Sequence, residues 1–174
     1  MGRQTLAFLA QLDGACHACD DLAHDTEELF FQHLDAEIIT CFPGLATLTS
    51  ARILAEIGDD RSRFGRAGDL KAYAGSAPVT RESGKSRHVT HRRIKNNRLA
   101  ATGRHWAFAA LTACPGAHAH YNHRRGRGDR YHAALRNLFN RMLGQLHHCL
   151  ATHQLFDEAI AFDRPTCSPL ASAA

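Results

Sequence analysis

From Arg3 to Thr40 the chain contains no proline, and its apolar residues recur at helical rather than strand spacing. Leu9, Leu12, Cys16, Cys19, Ala23, Thr26 and Phe30 lie alternately three and four residues apart, the seam of a coiled coil. Leu34 and Ile38 carry the apolar face onward after a register shift, and Asp20, Asp21, Asp25, Glu27 and Glu28 crowd the other side. Residues 1–40 therefore predict one long coiled-coil-like helical arm. Such a helix either lies on its own domain or pairs with another helix. A chain of 174 residues has few other elements to cover it, which favours a homo-oligomer formed through residues 3–40.

The rest predicts a compact helical domain over 41–160 and a disordered tail over 161–174, Pro-, Ser- and Ala-rich beyond Arg164. After the break at Cys41-Phe42-Pro43-Gly44 a helix is expected up to Asp59, with Leu48, Ile53, Leu54 and Ile57 inward and Gly58 as its cap. A short helix follows over Asp69–Ala74, then an extended or hairpin-like loop over Ser76–Thr90. Helices are predicted over Lys95–Ala113, Ala117–Arg125 and Arg130–His153, the last with a broad apolar stripe from Leu135 to Leu150. The fold class is mainly α. Apolar content is 44%, enough for a core, yet no run long enough for a membrane span occurs and the first residues do not resemble a signal peptide. A cytoplasmic protein is expected. Cys16 and Cys19 have CxxC spacing but fit the helical seam, and with no partner motif they are not read as a zinc site.

Charge is sharply polarised. Residues 61–105 hold twelve Lys or Arg against Asp69 and Glu82, a balance of +10, whereas the first sixty hold two bases against eleven acids. Cations facing phosphates release counterions and supply most of the affinity for a polynucleotide. Within the block, Gly84 after Ser83 permits a tight turn that presents the hydroxyl, and Arg81, Lys85 and Arg87 are close enough in sequence to surround one phosphate. That loop can either touch a backbone or attack it. Attack needs a base or a field favouring the alkoxide. Arg92, Arg93, Lys95, Asn97 and Arg98 open the next helix and suit a groove or backbone, while Asn96 and Asn97 equally suit capping. Pro43-Gly44 has the spacing of a helix-hairpin-helix turn, with Ala46 and Ser50 at positions usually Gly and Ala. Its Gly44 either approaches a phosphate or serves packing alone.

Taken in order, several segments resemble the C-terminal transposase domain of the insertion-sequence one-ten family. They are Pro43-Gly44-Leu45 through Glu56-Ile57-Gly58-Asp59, then Phe64, then Leu70-Lys71-Ala72-Tyr73-Ala74-Gly75-Ser76-Ala77-Pro78, then Ser83-Gly84-Lys85, then Trp106-Ala107-Phe108-Ala109-Ala110-Leu111. The similarity covers roughly residues 40–160, and the preceding helix is similar to the coiled coil that joins that family's two domains. The resemblance implies DNA transposition: binding of DNA and of a structured RNA, and a serine that becomes covalently joined to DNA. Ser83 matches that serine, with Ser76 and Ser86 as fallbacks. It also implies a RuvC-like N-terminal domain with an acidic, Mg2+-dependent site. These 174 residues leave no room for it, so no cofactor is expected in this chain and a separately encoded RuvC-like partner is. The family's Gly-Asn before the following helix stands here as Asn96-Asn97. The expectation is the C-terminal part of a transposase; the alternatives are a truncated, non-catalytic nucleic-acid-binding remnant and a helical oligomerisation protein.

Overall fold

Helix α7 (Tyr131–Thr152) is the axis on which the body is assembled. Leu135, Leu138, Phe139, Met142, Leu143, Leu146 and Leu150 are all buried, as their spacing predicts. The computed structural model describes residues 2–90 and 92–162. The expected disordered tail over 161–174 is corrected at its start, where residues 161–162 are helical and Ala161 is buried; the rest of that tail and the side chains of Arg81, Arg87 and His88 lie outside the described residues. Around α7 the chain runs α1 (Gly2–Phe31), α2 (Ala36–Thr40), α3 (Thr47–Ile57), a 3-10 turn (Arg61–Phe64) and α4 (Ala67–Tyr73). A hairpin of β1 (Val79–Ser83) and β2 (Ser86–Thr90) follows, then α5 (Asn97–Ala113), α6 (Pro115–Gly126), α7 and α8 (Glu158–Phe162). The fold is mainly α, and α4, α5 and α6 all pack on α7. No helix among the described residues is long and apolar enough to cross a membrane.

Helix α5 meets α7 through Leu99, Thr102, Gly103, Trp106, Ala107 and Ala110, a face built on three- and four-residue steps. Gly103 leaves room for the Phe139 ring, which would lie 2.1 Å from a Cβ placed there. Trp106 is fully buried between the edges of Phe42 and Phe139, with ring centroids at 5.6 and 6.1 Å. Its indole N–H donates to the Pro43 carbonyl at 3.0 Å, so this large residue is buried without an orphaned donor. Cys114 ends α5 and caps α6: its sulfur accepts from the Ala117 amide at 3.3 Å, and Pro115 takes the first helical position.

Three further expectations are corrected. The N-terminal helix does not run unbroken to Thr40; it stops at Phe31, and the chain turns before α2. At the turn Asp35 is buried and its carboxylate is held by Arg61, while His33 bonds Asp59 at 3.0 Å. Partners far along the chain thus override local helix propensity. Leu34 is left 94% exposed, whereas Ile38 joins the core. In α3 the inward residues are Ser50, Ile53, Leu54 and Ile57, and Leu48 faces outward. The helix before Ala113 begins at Asn97, because the Asn96 side chain accepts from the Leu99 amide at 3.0 Å and fixes the start.

Along α1 the seam residues Leu9, Leu12, Cys16, Cys19 and Thr26 are exposed, and only Phe30 enters the core. Leu6, Phe8, Leu22 and Leu29 are more than half exposed as well. The helix stands off the body as an apolar arm anchored at its C-terminal end.

Candidate nucleic-acid interface

The hairpin places Ser83 at its tip. Five cross-strand pairs run from Val79–Thr90 to Ser83–Ser86, with Glu82 opposite Arg87 and Arg81 opposite His88. Gly84 and Lys85 are the two loop residues. Gly84 has φ +56°, at the first central position, which type II′ hairpin turns reserve for glycine. This turn twists with the strands and leaves Ser83, Lys85 and Ser86 exposed. Among the described residues the Ser83 hydroxyl has no hydrogen-bond partner. It faces solvent. The fallback serines differ. Ser86 is exposed opposite Ser83, whereas Ser76 is buried and its hydroxyl reaches Asn140 Oδ1 at 3.0 Å and the Lys71 carbonyl at 3.2 Å. Ser76 is a packing residue that ties α4 to α7.

Of the three cations expected to surround a phosphate beside Ser83, Lys85 is at the tip, and the side chains of Arg81 and Arg87 lie outside the described residues. Strands of five residues at about 3.4 Å each put roughly 15 Å between the tip and the hairpin base. Lys85 stands at the tip, while Arg92, Arg93, Lys95, Asn97 and Arg98 lie at the base and the start of α5. Arg93, Asn97 and Arg98 are exposed, and Arg98 has Glu56 Oε1 3.8 Å from its guanidinium. Arg92 is half-buried, with its Nε enclosed and unpartnered. The Lys95 stem packs on Gly75, whose φ of +71° and missing Cβ make room for it.

The first half of the basic block is largely structural. Arg61 holds Asp35, and the Arg63 guanidinium stacks 5.0 Å from the Phe64 ring and 4.7 Å from that of Tyr73. Lys71 is half-buried beside Gly144; burial, and then the nearby Arg141 charge, push its ammonium pKa down. The close approach that requires Gly44 is likewise internal. Gly44 has φ +79°, and a Cβ there would lie 2.5 Å from the Ala110 nitrogen on α5. Asn96 caps α5 and donates to Glu56 Oε2 at 2.6 Å and to the Tyr73 hydroxyl at 2.7 Å.

Sequence spacing misses one convergence. Lys95, Arg104 on α5, and His132 and Arg136 on α7 line a single cleft of about 240 Å³, floored by Leu135 and Phe139. The one sequence signal was His132 and Arg136 four apart, on one helix face beside the apolar stripe. Among the described residues no group of three or more His, Cys, Asp or Glu could hold a metal ion.

Residues 36–122, from α2 to α6 and including the hairpin, match the family model described as "Transposase IS116/IS110/IS902 family". Over 161 residues the chain is 60% identical to the Streptomyces coelicolor protein named "Mini-circle putative transposase for IS117", covering 92% of this chain and 39% of that protein. It is 32% identical over 164 residues to the 42 kDa protein of insertion element IS900 of Mycobacterium paratuberculosis, covering 91% of this chain and 41% of the relative. The 44.8 kDa protein of insertion element IS116 of Streptomyces clavuligerus is 34% identical over 144 residues, 80% of this chain and 35% of its own. The chain thus spans about two fifths of the length of these relatives. With its arm, its glycine-turned hairpin and its helical body, the chain belongs to the IS116/IS110/IS902 family of transposases.

Proposed function

We propose that this chain is the C-terminal part of an insertion-sequence transposase that binds DNA and supplies Ser83 as the nucleophile for strand cleavage and transfer. The observation that carries the reading is the position of Ser83: exposed, at the tip of a hairpin whose turn is set by Gly84, with Lys85 beside it. In the proposed step the Ser83 Oγ–P bond forms as the P–O bond to one deoxyribose breaks. The serine proton passes to a base, and the departing sugar oxygen is protonated. A free sugar hydroxyl later attacks the serine phosphodiester and releases Ser83, so one phosphodiester is exchanged for another with no oxidant or reductant. Because no described side chain bonds the Ser83 hydroxyl, the base and the Mg2+-dependent site are assigned to a RuvC-like domain, in the same polypeptide or a partner. Exposed Arg93 and Arg98 hold the strand backbone, together with Lys85 at the tip. The exposed apolar seam of α1 pairs with a second copy, and the basic surface also serves a structured RNA.

A denaturing gel tests the nucleophile. With a complementing RuvC-like domain, wild-type protein yields a protein–DNA adduct and Ser83→Ala yields none; an adduct that persists in Ser83→Ala removes Ser83 from the chemistry. Binding of duplex DNA is expected to be unaffected by Ser83→Ala, while Arg93→Ala lowers the salt slope by about one unit.

A further inference from the structure

The cleft between the end of α4, α5 and the start of α7 combines a cationic rim with an apolar floor. Its mouth carries four groups able to be cationic, Lys95, Arg104, His132 and Arg136, and no Asp or Glu lines it. Among the described residues none of Lys95, Arg104 and Arg136 forms an ion pair. Like charges gathered in a concave site repel one another and focus positive potential inward. Helix α7 begins at Tyr131 without a side-chain cap, so its partial positive end adds to that field. The floor is different: Leu135 and Phe139 are almost fully buried and apolar. A cleft of about 240 Å³ has room for more than a phosphate group alone.

We infer that this cleft is a nucleotide-binding subsite that receives one phosphate-bearing nucleotide of a single-stranded DNA segment. The phosphate meets Arg104, Arg136, Lys95 and His132, and the base lies toward Leu135 and Phe139. A duplex cannot enter a space of this size, whereas one unpaired nucleotide can set its phosphate on the cationic wall and its base against the apolar floor. The inference rests on the reading of the chain as DNA-binding and adds to it a second grip, separate from the hairpin tip that carries Ser83.

The test titrates the full chain with dTMP, thymidine, inorganic phosphate and short single-stranded oligothymidylate by calorimetry, with duplex DNA binding followed in parallel by anisotropy. Charge-assisted hydrogen bonds predict that Arg104→Gln and Arg136→Gln each weaken dTMP and oligothymidylate binding by about tenfold or more, with duplex binding nearly unchanged. Thymidine and inorganic phosphate each bind more weakly than dTMP, because each uses half the site. His132→Gln gives the same readout from another wall should an arginine variant fail to fold. Unchanged dTMP affinity across these variants overturns the subsite, and tighter binding of oligouridylate than of oligothymidylate overturns the DNA assignment. Silence toward dTMP with duplex binding intact sinks this inference alone. Binding of dTMP with no binding of any DNA strand sinks the proposed function instead, along with the strand assignment.

Discussion

Replacing Gly84 with alanine should loosen the hairpin that carries Ser83 and leave the helical body alone. A Cβ at Gly84 meets no atom within 4 Å, so the penalty is conformational rather than steric. An L-residue held at the φ of +56° found there costs about 1–2 kcal/mol. Little else in the hairpin offsets that loss: Thr80, Glu82, Ser83, Lys85, Ser86, Val89 and Thr90 are all exposed, and a lone two-stranded hairpin is marginal in water. A change of 1–2 kcal/mol alters the ratio of closed to open hairpin by a factor of about 5–30. Hydrogen–deuterium exchange is the direct assay. Cross-strand amides between Thr80 and Val89 should exchange faster by that factor, while amides around Leu143 in α7 keep the wild-type rate. If Ser83 is the nucleophile, adduct yield falls in parallel. Unchanged hairpin exchange in Gly84→Ala would refute the reasoning, since the glycine turn would then not be what sets the tip.

Other outcomes follow from the same geometry. Gly103→Ala forces a methyl onto the Phe139 ring, 2.1 Å from its Cζ, and should lower stability by about 1–3 kcal/mol in urea titrations, with unchanged m. Burial pushes the thiols of Cys114 and Cys149 above the ordinary value of 9.0, so iodoacetamide at mildly alkaline pH should label exposed Cys16 and Cys19 first. A raised folded-state thiol pKa favours the native state below the unfolded value, and that contribution is lost as pH climbs past it; mutating both buried thiols to alanine should flatten this alkaline decline in the urea midpoint. Leu12→Glu places a charge on the α1 seam and should weaken self-association at least about tenfold by sedimentation, with the body's melting transition unmoved.

What could be read in the sequence follows from how local each signal is. The stripe from Leu135 to Leu150 repeats over several turns, so α7 was legible, and Ser83-Gly84-Lys85 between Val79 and Val89 announced the hairpin. The end of α1 was not legible, because Arg61 holds Asp35 from 26 residues away. Leu48 looked inward by its chemistry, but the buried face of α3 runs through Ser50, Ile53, Leu54 and Ile57, a phase that turns Leu48 outward. For the site, sequence proximity misled: Arg92, Arg93 and Ser83 lie within ten residues yet sit at opposite ends of an extended hairpin. The reverse holds for Arg104 and Arg136, which are far apart in sequence and meet only because α5 packs on α7.

The thirty residues of α1 form a rod about 45 Å long, fixed to the body only near Phe30. Two such rods can join head-to-head or head-to-tail, and each polarity sets a different spacing between the bodies they carry. Side by side, two hairpins that bind DNA as proposed would address the same stretch of duplex. At opposite ends they stand about thirteen base pairs apart at about 3.4 Å per pair, somewhat more than one helical turn. If the proposed pairing through α1 and the proposed role of Ser83 both hold, the polarity of this junction is a molecular ruler that decides whether paired strand breaks fall together or are staggered around the double helix.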